Sequence, residues 1–96
     1  MTNYTVRVEL HDADDGDYEE LHKKMRAQGF SRYLNINGVH WKLPSAEYSI
    51  VGELTPEQVL IKAQTAANQV QPQPEPSILV TRSPTPRVFS GLKKLN

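Results

Sequence analysis

The sequence predicts an α+β domain of β-α-β-β-α-β order, and three observations predict it. In residues 3–10, Tyr4, Val6, Val8 and Leu10 alternate with Thr5, Arg7 and Glu9, and a period of two is the mark of a half-buried strand. Asn37-Gly38 lies between two apolar-patterned runs; it specifies a two-residue type I′ hairpin, because both turn positions need positive φ. Thr55-Pro56-Glu57-Gln58 opens a helical stretch, with Thr to cap, Pro to fit the first turn and Gln to complete the box. The order that results is the ferredoxin-like split arrangement, a two-layer sandwich with both helices on one face of an antiparallel sheet. The chain of 96 residues is enough for one domain. Residues 1–83 make the ferredoxin-like body, and residues 84–96 make a Pro-containing extension with a short C-terminal fifth strand.

The elements follow in order. Residues 11–17 are rich in turn and cap formers. Asp17 and Glu20 have capping-box spacing, with Asp14 or Asp15 offering a slightly earlier start. Tyr18, Leu21 and Met25 recur at three and four residues, so a helix over 15–28 presents a narrow apolar stripe. Lys23, Lys24 and Arg26 fall in its later turns, and Gly29 suits the left-handed C′ position. Residues 30–36 form the second strand. The turn then sets Ile36 opposite Val39, Leu34 opposite Trp41 and Arg32 opposite Leu43. Pro44 cannot donate to a ladder, so the third strand is interrupted near Pro44-Ser45, resumes its alternation through Ala46, Tyr48 and Ile50, and ends over Gly52 to Leu54. Val59, Leu60, Ala63, Ala66, Ala67 and Val70 form the stripe of the second helix. The alternating prolines of 71–76 favour an extended polyproline-type linker. Residues 77–81 are apolar on both faces, which asks for a central or covered position. Val88, Phe89 and Leu92 make a final strand or docked tail.

Composition narrows the function. Eleven basic residues balance eleven acidic ones, so a strong basic field for non-specific nucleic-acid binding is missing. The charges are unevenly placed. Acids crowd residues 9–20, whereas the chain from Ser77 onward has Arg82, Arg87, Lys93 and Lys94 and no acid. With no cysteine, disulfides and thiolate metal sites are excluded. No apolar run has membrane-spanning length and the first residues lack signal-peptide regions, so no membrane partner and a cytoplasmic location are expected. A small core makes homodimerisation a natural supplement, with residues 88–92 pairing to the neighbouring chain.

The chemistry candidates are few. The acidic segment around Gly16 fails the calcium-loop template, because His11, Ala13 and His22 would occupy its first, third and twelfth positions. Asp12, just beyond the first strand, is the one carboxylate placed to hold a divalent ion if two copies meet; otherwise helix capping and solvation account for the cluster. His11, His22 and His40 fit no zinc spacing, so no metal or other cofactor is called. His22 and His11 are the available proton-transfer groups, since imidazole titrates near neutral pH. Arg7, Arg32, Tyr33 and Lys42, joined by Arg82, are the side chains suited to single-stranded RNA, by phosphate contact and stacking. The polar sheet face of Thr5, Arg7, Glu9, Tyr33, Asn35, His40 and Lys42 is a surface for RNA, a protein partner or a second copy, and equally the ordinary outside of a two-layer fold. The RNA-recognition-motif consensus, a phosphate-cradling glycine loop and a serine-hydrolase elbow are absent.

Several stretches together resemble the GhoS family. They are Asn3-Tyr4-Thr5-Val6, the helix-to-strand junction from Tyr18 through Met25 to Phe30-Ser31, Gly38-Val39 through Leu43, Tyr48-Ser49-Ile50 and Ser77 to Ser83. That family includes the endoribonuclease antitoxin of a type V toxin–antitoxin system. The resemblance spans roughly residues 3–83. It implies a ferredoxin fold akin to the small CRISPR-associated nucleases, and a sequence-selective endoribonuclease acting on a toxin messenger. The family's arginine-rich first helix corresponds here to His22, Lys23, Lys24 and Arg26, beside Glu19 and Glu20, so its arginine pattern is not reproduced. Three functions follow: a GhoS-like RNA-binding protein or metal-free ribonuclease, a non-enzymatic dimeric interaction or inhibitor module of a mobile element, and a metal nuclease using Asp12.

Overall fold

A computed structural model describes residues 2–95. Among them the chain runs β1 (Thr2–Glu9), α1 (Asp15–Ala27), β2 (Tyr33–Ile36), β3 (Val39–Lys42), β4 (Glu47–Gly52), α2 (Pro56–Val70), β5 (Ser77–Ser83) and β6 (Lys93–Lys94). The class is α+β. The strands form two small antiparallel sheets, ordered β4-β1-β5 and β2-β3-β6.

Tyr4, Val6, Val8 and Leu10 are buried while Arg7 and Glu9 are exposed, so β1 turns its apolar face to the helices. They meet Tyr48 and Ile50 of β4, Leu21 and Met25 of α1, and Val59, Ala63, Ala66 and Ala67 of α2 in one core cluster. The three alanines are fully buried. Their short side chains bring the α2 backbone close to its neighbours, and each added methylene there would overfill a close-packed interior.

Both helices are capped by their sequence. Thr55 and Gln58 exchange bonds of 3.1 and 2.9 Å at the start of α2. In α1 the box lies one turn earlier than Asp17 and Glu20. The Asp14 carboxylate accepts from Asp17 N at 2.9 Å, and Asp17 accepts from Asp14 N at 3.2 Å. Asp14 has the extended backbone a cap requires, which puts the acids of the first turn at the positive end of the helix dipole.

The hairpin has the expected register, Ile36 with Val39 and Leu34 with Trp41, and both Asn37 and Gly38 have positive φ. The third strand does not merely pause; it breaks. Pro44 has no N–H to give, Ala46 sits at φ 66, and its carbonyl accepts from Val8 N at 3.0 Å. The chain therefore changes direction between β3 and β4, and the expected continuous sheet becomes two. Among the described residues a bridge joins them, in which Ser31 and Ser49 exchange bonds of 2.8 and 2.7 Å.

Three further expectations change. The linker bends at Gln73 and Pro74 instead of running straight. β5 is an edge strand, because β1 holds the centre, and Leu79 is 66% exposed; its ladder to β1 and the inward packing of Ile78 and Val80 fix the strand. The final strand lies at Lys93–Lys94, beyond residues 88–92, and pairs with β3 of its own chain. Phe89 reaches Trp41, ring centroids 5.3 Å apart, while Val88 is 94% exposed.

The tail also crosses the sheet. Arg87 Nη1 donates to the Tyr4 carbonyl at 3.2 Å and to Thr5 Oγ1 at 3.1 Å. The outer sheet face is therefore strapped, where the alternation of β1 suggested a bare polar surface.

Candidate functional site

The interior stripe of α1 fixes where its flank points. With Leu21 and Met25 fully buried, the next residue, His22, comes to lie half-buried at the margin of the core. There its Nδ1 is 2.7 Å from the hydroxyl of Tyr48, which arrives from β4 with 1% of its surface exposed. Phe30 sets an edge against the Tyr48 ring at 6.5 Å and 70°, so the phenol is held from two sides.

The protons can be assigned by satisfaction. Burial pushes the Tyr48 hydroxyl well above the ordinary phenol value, overcoming the opposing pull of Arg32, so it keeps its proton. His22 is lowered below the usual imidazole value, first by burial, then by the positive charges of Arg32 and Lys42, with Glu19 opposing. A neutral imidazole faces a protonated phenol whose one hydrogen-bond partner among the described residues is that ring. A buried O–H must donate, so it donates to Nδ1, and the ring proton resides on Nε2.

Open cavities of about 450 and 460 Å³ flank this histidine, and His22, Glu19 and Arg32 line both. Lys23, Arg26 and Tyr33 extend the first, and Asp15, Tyr18, Ser45 and Ala46 close the second. Lys23 is partly engaged by Glu20 at 3.4 Å, an exposed pair of small energetic weight. The positive charge is therefore concentrated in the first hollow, where Lys23, Arg26 and Arg32 face Glu19, whereas the second sets Asp15 and Glu19 against Arg32; the neutral imidazole N–H lies between them.

Of the residues singled out from the sequence, His22, Arg32 and Tyr33 come together here, and Lys42 acts on His22 through its charge. The others do not. His11 bonds Ser77 Oγ through Nε2 at 2.8 Å, at the β5 side of the sheet, whereas Tyr48 lies on β4 at the opposite edge. Arg7 is exposed on the outer face, across from Glu47 and Leu79. Arg82 is paired with Tyr4 on the far edge strand. Asp12 is exposed in the β1–α1 loop at φ 55. Among the described residues no three His, Asp or Glu side chains gather as a metal site would require.

Sequence reasoning missed Tyr48 and Glu19 as site residues and Arg87 as the tail's anchor. Tyr48 read as a core position of an alternating strand; the signal in it was the hydroxyl itself, since a buried tyrosine finds a hydrogen-bond partner.

Among the described residues no helix is long and apolar enough to cross a membrane. No family model, no curated protein and no solved structure matches this chain.

Proposed function

We propose that this chain is a single-stranded RNA-binding protein in which His22 and Arg32 hold one backbone phosphate. The observation that carries the reading is the His22–Tyr48 bond beside the Arg32 hollow. It leaves a fixed Nε2–H donor next to a guanidinium, and that pair suits a phosphate oxygen. Lys42, Lys23 and Arg26 supply the surrounding positive charge, and Tyr33 gives a ring in that hollow for stacking.

The resemblance to the GhoS family and the strand arrangement support the same reading. The order β5-β1-β4, with the Ser31–Ser49 bridge leading on to the hairpin, fits a ferredoxin-like sandwich whose third strand is cut at residues 44–46. A ribonuclease is the second reading, favoured by an imidazole beside a guanidinium. A metal-free cleavage would need an unprotonated ring nitrogen to take the proton of a ribose 2′-hydroxyl, which then attacks the adjacent phosphorus and expels the 5′-oxygen. With the ring proton on Nε2, His22 is set to donate instead, so binding is the better supported function.

One experiment separates these readings. A mixed-sequence single-stranded RNA is titrated at several salt concentrations, with and without chelator, against the natural chain and an Arg32→Ala/Lys42→Ala double variant. Salt-dependent binding weakened in the variant supports the proposal. Cleavage that survives chelator moves the assignment to the ribonuclease, and cleavage lost with chelator moves it to Asp12. Absence of binding at low salt rejects RNA as the ligand and leaves a protein-interaction module.

A further inference from the structure

The tail builds a second hollow that continues the first. A cavity of about 430 Å³ lies on the outer side of the sheet between the hairpin and residues 84–87. Tyr33, Asn35 and His40 line one side of it, and Pro84, Pro86 and Arg87 line the other. Ser31 and Tyr33 border both this cavity and the one at His22. The two hollows therefore meet at Tyr33.

The register explains the polar wall. Asn35 stands opposite His40 and Tyr33 opposite Lys42, so all four project from one side of the hairpin, with Leu34 and Trp41 on the other. Two donors in the cavity are fixed in place. Asn35 Oδ1 accepts from Gly38 N at 3.0 Å, which holds the side-chain amide and leaves its NH₂ group to donate. Arg87 uses Nη1 for both of its bonds to β1, which leaves Nε and Nη2 to donate. Neither partner of Arg87, a carbonyl and a hydroxyl, neutralises its charge.

We infer that this cavity takes one base of a single-stranded RNA whose neighbouring phosphate lies at His22 and Arg32. The inference rests on the RNA-binding reading and adds a specificity site to it. Tyr33 stacks on the base, and Asn35 and Arg87 present hydrogen-bond donors to its edge. A donor wall matches uracil, which has two carbonyl acceptors, better than adenine, whose exocyclic amine is itself a donor. The C-terminal tail is thus part of the recognition site, since it supplies one wall and the charged donor.

The test measures binding of labelled oligouridylate and oligoadenylate of equal length to the full chain at low salt, by fluorescence anisotropy. The natural chain should prefer oligouridylate by about ten-fold, the scale on which base-edge hydrogen bonds discriminate between bases. Arg87→Gln should reduce that preference to under about three-fold, and Tyr33→Leu, which removes the stacking ring, should weaken binding of both RNAs by about five-fold or more. Tyr33→Leu leaves both Arg87 tethers in place, so it reads the cavity even where Arg87→Gln loosens the tail. Titration with uridine monophosphate, followed by amide NMR, should shift the Asn35 side-chain resonance. Equal affinity for the two RNAs in the natural chain, a preference unchanged in Arg87→Gln, or binding unweakened in Tyr33→Leu overturns this inference while leaving RNA binding intact. No binding of either RNA overturns the parent reading and this inference with it.

Discussion

Tyr48→Phe tests the bond on which the site assignment depends. The substitution removes one oxygen and keeps the ring that packs on Phe30, so no large cavity forms. What is lost is the 2.7 Å bond to His22 Nδ1. A typical intramolecular hydrogen bond contributes about 1 kcal/mol net. His22 is only half-buried, so water can replace the lost partner and the cost stays near that figure instead of reaching the larger penalty of an orphaned buried group. For a domain of this size about 1 kcal/mol lowers Tm by about 4–8 °C and moves the urea midpoint by about 0.5 M. Trp41 fluorescence reports the unfolding, and NMR of the imidazole nitrogens reports the tautomer and titration of His22. The natural chain should show the Nε2–H tautomer. The variant should titrate at higher pH, because a donor that favoured the neutral ring has gone. Tyr4→Phe is the control: Tyr4 donates to the Leu54 carbonyl, so it should cost stability without moving His22. An Nδ1–H tautomer in the natural chain, or a His22 titration identical in natural and Tyr48→Phe proteins, would refute the assignment.

Other expectations follow from the same structure. Stability should fall as the pH drops from the ordinary histidine value of 6.5 through the lower folded value of His22, because the unfolded chain binds the proton more readily there; His22→Gln should flatten this segment of a urea-midpoint-against-pH profile. Arg32→Ala/Lys42→Ala should reduce the magnitude of the salt slope of single-strand binding by about 1.4, from about 0.7 per lost phosphate contact, as read by anisotropy. Asp14→Ala removes the α1 cap and should cost about 1 kcal/mol in urea unfolding, whereas Glu20→Ala, outside the capping box, should cost well under half of that. We propose that two copies meet on the outer face of β5, since Leu79, opposite Arg7, is 66% exposed there; light scattering at micromolar concentration should give the dimer mass, and Leu79→Lys the monomer.

The elements were legible where the local signal is strong. Asn37-Gly38 gave both the turn and the register of β2 on β3, because a one-residue slip would carry Leu34 and Trp41 to the wrong face. Thr55, Pro56 and Gln58 gave the start of α2, and Gly29 the end of α1. The errors lie where two local rules compete. Pro44 was read as an interruption of one strand, but the left-handed Ala46 and its bond to Val8 depend on where β1 ends, which is a tertiary fact. Ile78, Leu79 and Val80 asked for a covered strand, yet only the inward pair is covered. Nothing in residues 77–81 states that β1, with partners on both sides, has taken the central place.

The site was less legible than the fold for a related reason. His22 and Tyr48 are separated by 26 positions, and they meet only because α1 packs over the β4 side of the sheet. The sequence could name residue types able to bind phosphate, and four of those named lie close together: His22, Arg32 and Tyr33 line one hollow and Lys42 stands opposite Tyr33. It could not separate them from His11, Arg7 and Asp12, since membership depends on which sheet edge each element borders. The tail shows the same limit at greater range. Arg87 reaches Thr5 across 82 positions, and the prolines around it read only as an extended break. What is recoverable from sequence is the anomaly, a tyrosine where an apolar core residue would pack as well and an uncompensated arginine among prolines. The structure supplies the partner that makes each anomaly meaningful.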